Sequence, residues 1–170
     1  YDGTTNVASS NLTSFSNLAG SDTLSLSGTG TISSADVGTG KTVNTSGLTI
    51  DNSSGVGSNY TLSAATVNVT ERVIGLSGVR AFDGTNNASS TDLSISNLVS
   101  GENLTLSGSG TVPNATVEMN KAISLGSLSI SDGSGGKSSN YTLTGGSHTL
   151  DISQLSCLLY TSPSPRDRIR

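Results

Sequence analysis

The chain of 170 residues repeats its own sequence with a spacing of about 80 residues. The offset between matching blocks stays between 80 and 83. A repeat limits the possible folds more than any other feature, because both copies must form the same unit of structure. The matching blocks are YDGTTN at 1–6 and FDGTNN at 82–87, LSLSGTGT at 24–31 and LTLSGSGT at 104–111, GLTI at 47–50 and SLSI at 127–130, SNYTL at 58–62 and 139–143, and TVNVT at 66–70 and TLDIS at 149–153.

Within each repeat, apolar residues alternate with Ser, Thr or Asn. Successive side chains of a β-strand point to opposite faces, so this pattern buries one face and exposes the other. Turn-forming clusters such as DNSSG at 51–55 and DGSGG at 132–136 separate the strands. We therefore predict an all-β fold of tandem antiparallel β-sandwich repeats. A β-solenoid is the alternative, although its coils usually have only about 20–30 residues. The alternating pairs are Leu24/Leu26, Leu48/Ile50, Tyr60/Leu62 and Val67/Val69.

The composition argues against several classes of function. Ser and Thr make up roughly a third of the chain, charged residues 12%, and the net charge is −4. Nucleic-acid binding needs a Lys/Arg footprint that this charge does not provide. No run of about 18 apolar residues exists that could span a membrane. The composition favours a β-rich extracellular module and not an enzyme, and we expect no catalytic residue and no cofactor.

The sequence divides into two predicted repeats and a C-terminal tail that we interpret as foreign to the protein. The first repeat covers residues 1–70 and the second covers 71–154. ERVIGLSGVR at 71–80 is predicted to be the leading strand of the second repeat, and we expect the first repeat to have lost its own by truncation, which leaves an unpaired edge. CLLYTSPSPRD at 157–167 resembles an in-frame translation of a sequencing-library adapter, so we exclude 155–170 from the fold.

Five blocks together resemble the YDG domain. They are YDGTT at 1–5, LSGTG at 26–30, GTGKTV at 38–43, SGLTI at 46–50 and NYTL at 59–62. The second repeat departs from this pattern at Phe82 and at EMNK, 118–121.

The resemblance implies an immunoglobulin-like β-sandwich in a filamentous-haemagglutinin-like bacterial surface adhesin. Such a protein is secreted to the bacterial cell surface, and the repeats would serve as a non-catalytic stalk whose partners are the neighbouring repeats of the chain. The alternative function is adhesion by the repeats themselves, with host-surface glycan or matrix as the partner.

The positions that carry the family motif are predicted to be structural. Asp2-Gly3 and Asp83-Gly84 are turn dipeptides. Tyr60 and Tyr141 each follow a turn and open an alternating strand. That placement suits either a phenol bonded to backbone across a connection, as in a tyrosine corner, or plain aromatic core packing. The motif positions are Tyr1, Asp2, Gly3, Tyr60, Phe82, Asp83, Gly84 and Tyr141.

Three other features suggest chemistry only weakly. ADVGTGKT at 35–42 approximates a phosphate-binding loop, but strand-and-turn sequence follows it where a helix is required. Asp51, Asp83 and Asp132 lie in turns without the spacing of a known calcium loop, and the junction near Glu71 is the place where calcium would be sought. His148 is the only histidine, so no His-paired nucleophile or His-rich metal site can form.

Overall fold

The computed structural model describes residues 1–12 and 14–157, and within them it is all-β, as predicted. Its helical elements there are 3₁₀ turns of three residues each. The strands are β1 Asn6–Ala8, β2 Leu24–Thr31, β3 Gly38–Val43, β4 Leu48–Asn52, β5 Ala65–Val69, β6 Arg72–Val73, β7 Gly75–Ala81, β8 Asn87–Ser89, β9 Leu93–Ser96, β10 Leu104–Ser107, β11 Ser109–Thr111, β12 Glu118–Ala122, β13 Ser129–Asp132, β14 Tyr141–Thr142 and β15 His148–Ser153.

The adapter-like segment falls mostly beyond this part of the chain. Residues 158–170 lie outside the described residues, so the interpretation of 155–170 as foreign stays a prediction.

The strands divide between two compact units. The first unit contains Tyr1–Gly75, Ile95–Leu106 and Ser129–Ser147. The second contains Leu76–Ser94, Ser107–Leu128 and the chain from His148 onward. The first unit therefore holds all of the first sequence repeat and three segments of the second.

The first unit contains four small sheets. β1, β2 and β4 form a three-stranded antiparallel sheet, and β3 pairs antiparallel with β5. β10 pairs with β13, and β14 pairs parallel with β6. Val7, Ile32 and Val43 are buried together in its core. The alternation of Leu24, Leu26 and the residues between them predicts β2 correctly, because one face of that strand is covered and the other is exposed.

The second unit is built around a parallel strand pair. β7 pairs parallel with β15 over six residue pairs, and β15 pairs antiparallel with β12. β9 adds to the other side of β7, and β8 pairs antiparallel with β11. The unit buries an apolar set of Leu76, Ala88, Val112, Ile123, Leu150 and Ile152.

The parallel pairs go beyond the purely antiparallel arrangement that the sequence predicted. Hydrogen bonding between the leading and last strands of the second repeat creates the longer pair, and short strands alone do not reveal which partner they will take. The predicted leading strand at 71–80 is present, although it is broken at Ile74 into β6 and β7. An immunoglobulin-like sandwich stays a prediction.

One predicted strand is absent. Residues 61–64, which follow Tyr60, form no strand, whereas the matching Tyr141–Thr142 forms β14. β14 obtains its backbone partner from β6, and no described segment offers an equivalent partner to residues 61–64. The prediction from alternation was wrong there because a strand needs a neighbour as well as a pattern.

Candidate functional site

The two Asp-Gly motifs form matching turns. Asp2 Oδ1 accepts hydrogen bonds from Thr4 N at 2.9 Å and from Thr4 Oγ1 at 3.1 Å. Asp83 Oδ1 accepts the same pair of bonds from Thr85, at 2.8 and 2.9 Å. Gly3 has φ +78° and Gly84 has φ +79°, a backbone region that L side chains disfavour. In the Asp-Gly-Thr sequence, Asp thus accepts the hydrogen bonds, Gly adopts the positive φ and Thr supplies both donors.

Tyr60 ties two distant segments of the first repeat together. Its phenol oxygen accepts a hydrogen bond from the Ala19 backbone N–H at 3.1 Å and donates to Asp22 Oδ2 at 2.6 Å. A phenol that both accepts from backbone and donates to a carboxylate fixes the connection between them.

Tyr141 makes the same tie in the second repeat. Its phenol accepts from the Val99 backbone N–H at 3.1 Å and donates to Glu102 Oε2 at 2.7 Å. This tyrosine is also buried, with 3% of its surface exposed. Hydrogen bonding and core packing therefore coexist at Tyr141.

Tyr1 adds a third member to the Tyr141 tie. Its hydroxyl donates to the other oxygen of Glu102, and its ring meets the Tyr141 ring edge to face, with centroids 5.4 Å apart and planes at 79°. Such edge-to-face pairs are favourable beyond their burial. Tyr1, Glu102 and Tyr141 all lie in the first compact unit. We call these three residues the tyrosine–glutamate cluster.

The three tyrosine hydroxyls that donate to carboxylates have raised pKa values. Burial, reinforced by the hydrogen bond to Glu102, raises the pKa of the Tyr1 phenol to about 12. Burial also raises the pKa of Tyr141, and the hydrogen bond to Asp22 raises that of Tyr60. All three phenols are therefore protonated at neutral pH and hold their carboxylate partners as donors.

Phe82 occupies the position that matches Tyr1 but has no hydroxyl. It is 38% exposed. The two residues that begin the motif therefore differ in both chemistry and surroundings.

A second set of polar contacts links the two repeats inside the first unit. Asp36 accepts from Asn140 Nδ2 at 2.9 Å and from Lys137 Nζ at 2.7 Å. In return, the Val37 backbone N–H donates to Asn140 Oδ1 at 2.9 Å. The bond from Asn140, followed by that from Lys137, lowers the pKa of Asp36 to about 2. We call Asp36, Lys137 and Asn140 the aspartate–asparagine node.

Residues 35–37 of the phosphate-loop-like segment lead into β3, and residues 38–42 lie within that strand. Lys41, its lysine, donates from Nζ to the Ser34 carbonyl at 3.1 Å. The matching Lys121 is buried and donates to the side chains of Asn114, Thr116 and Glu118. Both lysines thus hold neighbouring loops.

Sequence analysis placed three candidate calcium-binding aspartates in turns, but Asp51 lies in β4 and Asp132 ends β13, because both segments find strand partners. Asp83 and Asp132 bind protein groups. Asp132 Oδ1 accepts from Ser138 N and Oγ at 2.8 and 2.7 Å, and Asp83 pairs with Arg80. Across residues 1–12 and 14–157, no three His, Cys, Asp or Glu side chains are grouped so that they could hold a metal ion. His148 begins β15 and is partly buried.

Sequence analysis missed the carboxylates that receive the phenols. Asp22 and Glu102 occupy matching places, each two residues before the Leu-x-Leu strand of its repeat. Their recurrence was the available signal. Asp36 and Asn140 gave no such signal, because each bonds a residue of the other repeat.

The first unit also contains an open cavity of about 420 Å³. Phe15, Leu26, Ile50 and Tyr60 contribute to its lining, together with Ser and Thr residues. Its walls are mixed apolar and hydroxyl groups.

The comparisons with known proteins identify the family. No helix in the described part of the chain is long and apolar enough to span a membrane. No curated protein and no solved structure matches the chain. The family model of the YDG domain matches residues 1–68 and 70–149. The chain belongs to the YDG domain family.

Proposed function

We propose that this chain is a non-catalytic structural part of a secreted bacterial surface adhesin, whose repeats form a stalk that holds a binding tip away from the cell. The observation that carries the proposal is the pair of contacts between the two sequence repeats. Tyr1 bonds Glu102 in the tyrosine–glutamate cluster, and Asp36 bonds Asn140 in the aspartate–asparagine node.

Two separate points of contact join the first repeat to segments of the second. Both lie within the first compact unit, which the two repeats build together. Further bonds hold the connection between the repeats near Thr70: the Tyr1 amino group donates to the Thr70 carbonyl at 2.7 Å, and Arg72 Nη2 donates to Asn97 Oδ1 at 2.8 Å. Stiff coupling of successive repeats is what a spacer requires.

Family membership and composition support the location. The family resemblance implies a filamentous-haemagglutinin-like surface adhesin, and the low charge with abundant Ser and Thr suits a solvated β-rich module. The assignments to bacteria, to export and to a stalk belong to this proposal.

Small-angle X-ray scattering on the full chain tests the stalk. We expect an elongated particle for the wild type. A Tyr1→Phe/Asp36→Ala variant removes one bond from each contact point and should raise the flexibility seen at high scattering angle while the circular dichroism spectrum stays unchanged. The matched control, Tyr60→Phe/Asp22→Ala, removes a phenol and a carboxylate inside the first repeat and should leave the flexibility at the wild-type level. A compact wild-type particle, or a variant as stiff as the wild type, would contradict the proposal.

The 420 Å³ cavity favours a second candidate, adhesion to host glycan or matrix. Phe15 and Tyr60 supply aromatic surface there, and the hydroxyl groups around them could bond sugar oxygens. A glycan array with reproducible hits that disappear on Tyr60→Ala and survive Tyr1→Ala would support this candidate. An array without reproducible hits would count against it.

A further inference from the structure

Lys121 is a buried lysine to which the proposed stalk function gives no role. Its side chain is 2% exposed. A lysine is almost never buried this deeply unless polar groups surround its amine. Lys121 Nζ donates to Glu118 Oε2 at 2.7 Å, to Asn114 Oδ1 at 2.7 Å and to Thr116 Oγ1 at 3.1 Å. We call these four residues the lysine–asparagine cluster, and all of them lie in the second compact unit.

A β-bulge brings the carboxylate and the amine of this cluster to the same face of β12. Residues three apart on a regular strand point to opposite faces. Glu118 pairs with Ile152 and Lys121 pairs with Leu150, so three steps along β12 match two steps along β15. The extra residue on β12 therefore turns Glu118 and Lys121 to one side, where their side chains meet.

The amide oxygen of Asn114 is held by further donors. The backbone N–H of Thr116 donates to Asn114 Oδ1 at 3.2 Å, and the Thr116 hydroxyl donates to the same atom. Together with Lys121 Nζ, these groups give the oxygen three hydrogen bonds. Donors fixed around a carbonyl oxygen stabilise the negative charge that it acquires when a nucleophile attacks the carbonyl carbon. The side-chain amide of Asn114 is therefore arranged as an electrophile.

The amine of Lys121 is placed as the nucleophile for that amide. Reacting atoms are well positioned when they lie about 3–3.5 Å apart. A nitrogen that is hydrogen-bonded to the amide oxygen is one covalent bond away from the carbon that it would attack. The Glu118 carboxylate, bonded to the same nitrogen, is a base within reach of the amine proton. Nucleophile, electrophile and base thus meet in one place.

The first repeat has the matching lysine without the same partners. Lys41 ends the equivalent bulge of β3 and donates to the Ser34 backbone carbonyl at 3.1 Å. Ser34 stands where the second repeat has Asn114, and Gly38 stands where it has Glu118. The bulge and its lysine are common to both repeats, whereas the carboxamide and the carboxylate belong to the second. The first repeat therefore provides a control within the same chain.

We propose that Lys121 and Asn114 join through an isopeptide bond, an amide between their side chains, which the folded chain forms once with Glu118 as general base and acid. Glu118 takes a proton from the Lys121 ammonium, and the amine attacks the side-chain carbon of Asn114. Glu118 then passes the proton to the Asn114 amide nitrogen, which leaves as ammonia when its bond to that carbon breaks. The new amide nitrogen sheds one more proton, which the ammonia takes up. One ammonium and one carboxamide thus give one secondary amide and one ammonium ion.

This reaction balances without an oxidant, a reductant or a further reactant. Asn114 is exposed, so the ammonia leaves directly to solvent. The new bond closes a ring from residue 114 to residue 121 and fixes the loop before β12 to that strand. The inference does not depend on the proposed stalk function.

Intact-mass spectrometry of the purified full chain tests the isopeptide bond. We expect the wild type to be lighter than its sequence by the mass of one ammonia. Trypsin does not cleave after an acylated lysine, so it should leave residues 81–137 as one peptide that carries this loss, and it should still cleave after Lys41. A wild-type chain with its full sequence mass, or an ammonia loss that maps outside residues 114–121, would overturn the proposal.

Four variants separate the roles within the cluster, and circular dichroism checks that each one folds. Lys121→Arg removes the nucleophile and Asn114→Ser removes the carboxamide, so both variants should show their full sequence mass. Glu118→Gln should slow the loss of ammonia, followed during cell-free synthesis, by at least roughly 100-fold. Lys41→Arg is the matched control and should lose ammonia as the wild type does. Ammonia loss in Lys121→Arg, or an unchanged rate in Glu118→Gln, would overturn the proposal.

Discussion

Tyr60 and Tyr141 make matching hydrogen bonds but differ in how deeply they are buried. Tyr60 and Tyr141 each accept from a backbone N–H and donate to a carboxylate. The Tyr141 ring packs against Tyr1, and its carboxylate, Glu102, receives a second phenol. Asp22, one methylene shorter, receives one phenol among the described residues. The same local sequence thus gives a partly buried tyrosine in one repeat and a buried one in the other, where Tyr1 of the first repeat covers the ring.

The largest test of this comparison removes each tyrosine side chain. Tyr141→Ala should cost about 3–5 kcal/mol in the free energy of unfolding, because it leaves a cavity and strips Tyr1 of its partner. Tyr60→Ala should cost clearly less, since its ring is only partly buried. Urea denaturation followed by circular dichroism measures both. Equal losses in the free energy of unfolding would mean that the packing of Tyr1 against Tyr141 adds nothing to stability.

The two Asp-Gly turns provide the next test. A Cβ on Gly3 would lie 2.6 Å from Val99 Cγ1, whereas a Cβ on Gly84 would meet open space. Gly84→Ala should cost about 1–2 kcal/mol from backbone strain alone. Gly3→Ala adds a clash and should cost about 2–3 kcal/mol. Thermal unfolding of the two variants under one condition would show the difference, and a reversed order would argue against the packing of Val99 on this turn.

Removing only the hydroxyl groups separates bonding from packing. Tyr141→Phe leaves the Val99 N–H without its acceptor and should cost about 1–2 kcal/mol, more than Tyr60→Phe. Tyr1→Phe reproduces the residue found at position 82 and should lower stability below about pH 10, with an effect that shrinks at higher pH.

The sign of that pH effect follows from linkage. The folded-state pKa of Tyr1 is about 12, against an ordinary value of 10.0, so the folded protein keeps a proton that the unfolded chain releases. Its contribution to stability is complete below about pH 10 and is lost as pH rises towards 12. Tyr1→Phe should flatten this alkaline decline in urea midpoints. If the alkaline decline of the variant equalled that of the wild type, the Tyr1 hydroxyl would not contribute to it.

The smallest effect is expected at the aspartate–asparagine node. The pKa of Asp36 is lowered from 3.8 to about 2, so its contribution is present above about pH 4 and is lost as pH falls towards 2. Asp36→Asn should reduce the acid sensitivity of stability between these values relative to the wild type. Stability curves of the variant and the wild type that run parallel between about pH 4 and pH 2 would contradict the assignment.

Local sequence patterns predicted most of the strands. The remaining predictions depended on whether a segment finds a partner strand, which the patterns do not show. Alternation at Leu48/Ile50 and Val67/Val69 identified β4 and β5, because those segments also find neighbours. The same alternation at Tyr60/Leu62 was insufficient without a partner strand. The phenol ties were foreseen as one of two possibilities, since the position after a turn is local information. The contacts of Tyr1 with Glu102 and of Asp36 with Asn140 join residues more than 100 apart, and no pattern within either repeat encodes them.

The parallel pairing of β7 with β15 has a mechanical consequence. β7 is the longer part of the leading strand of the second repeat and β15 is the last strand described there, and the two run in the same direction. A force that pulls the start of β7 away from the end of β15 therefore acts along the strands, in shear. All six residue pairs must give way together, whereas an antiparallel hairpin pulled at its open end would unzip one pair at a time. A chain under tension would thus load this sheet in its strongest direction.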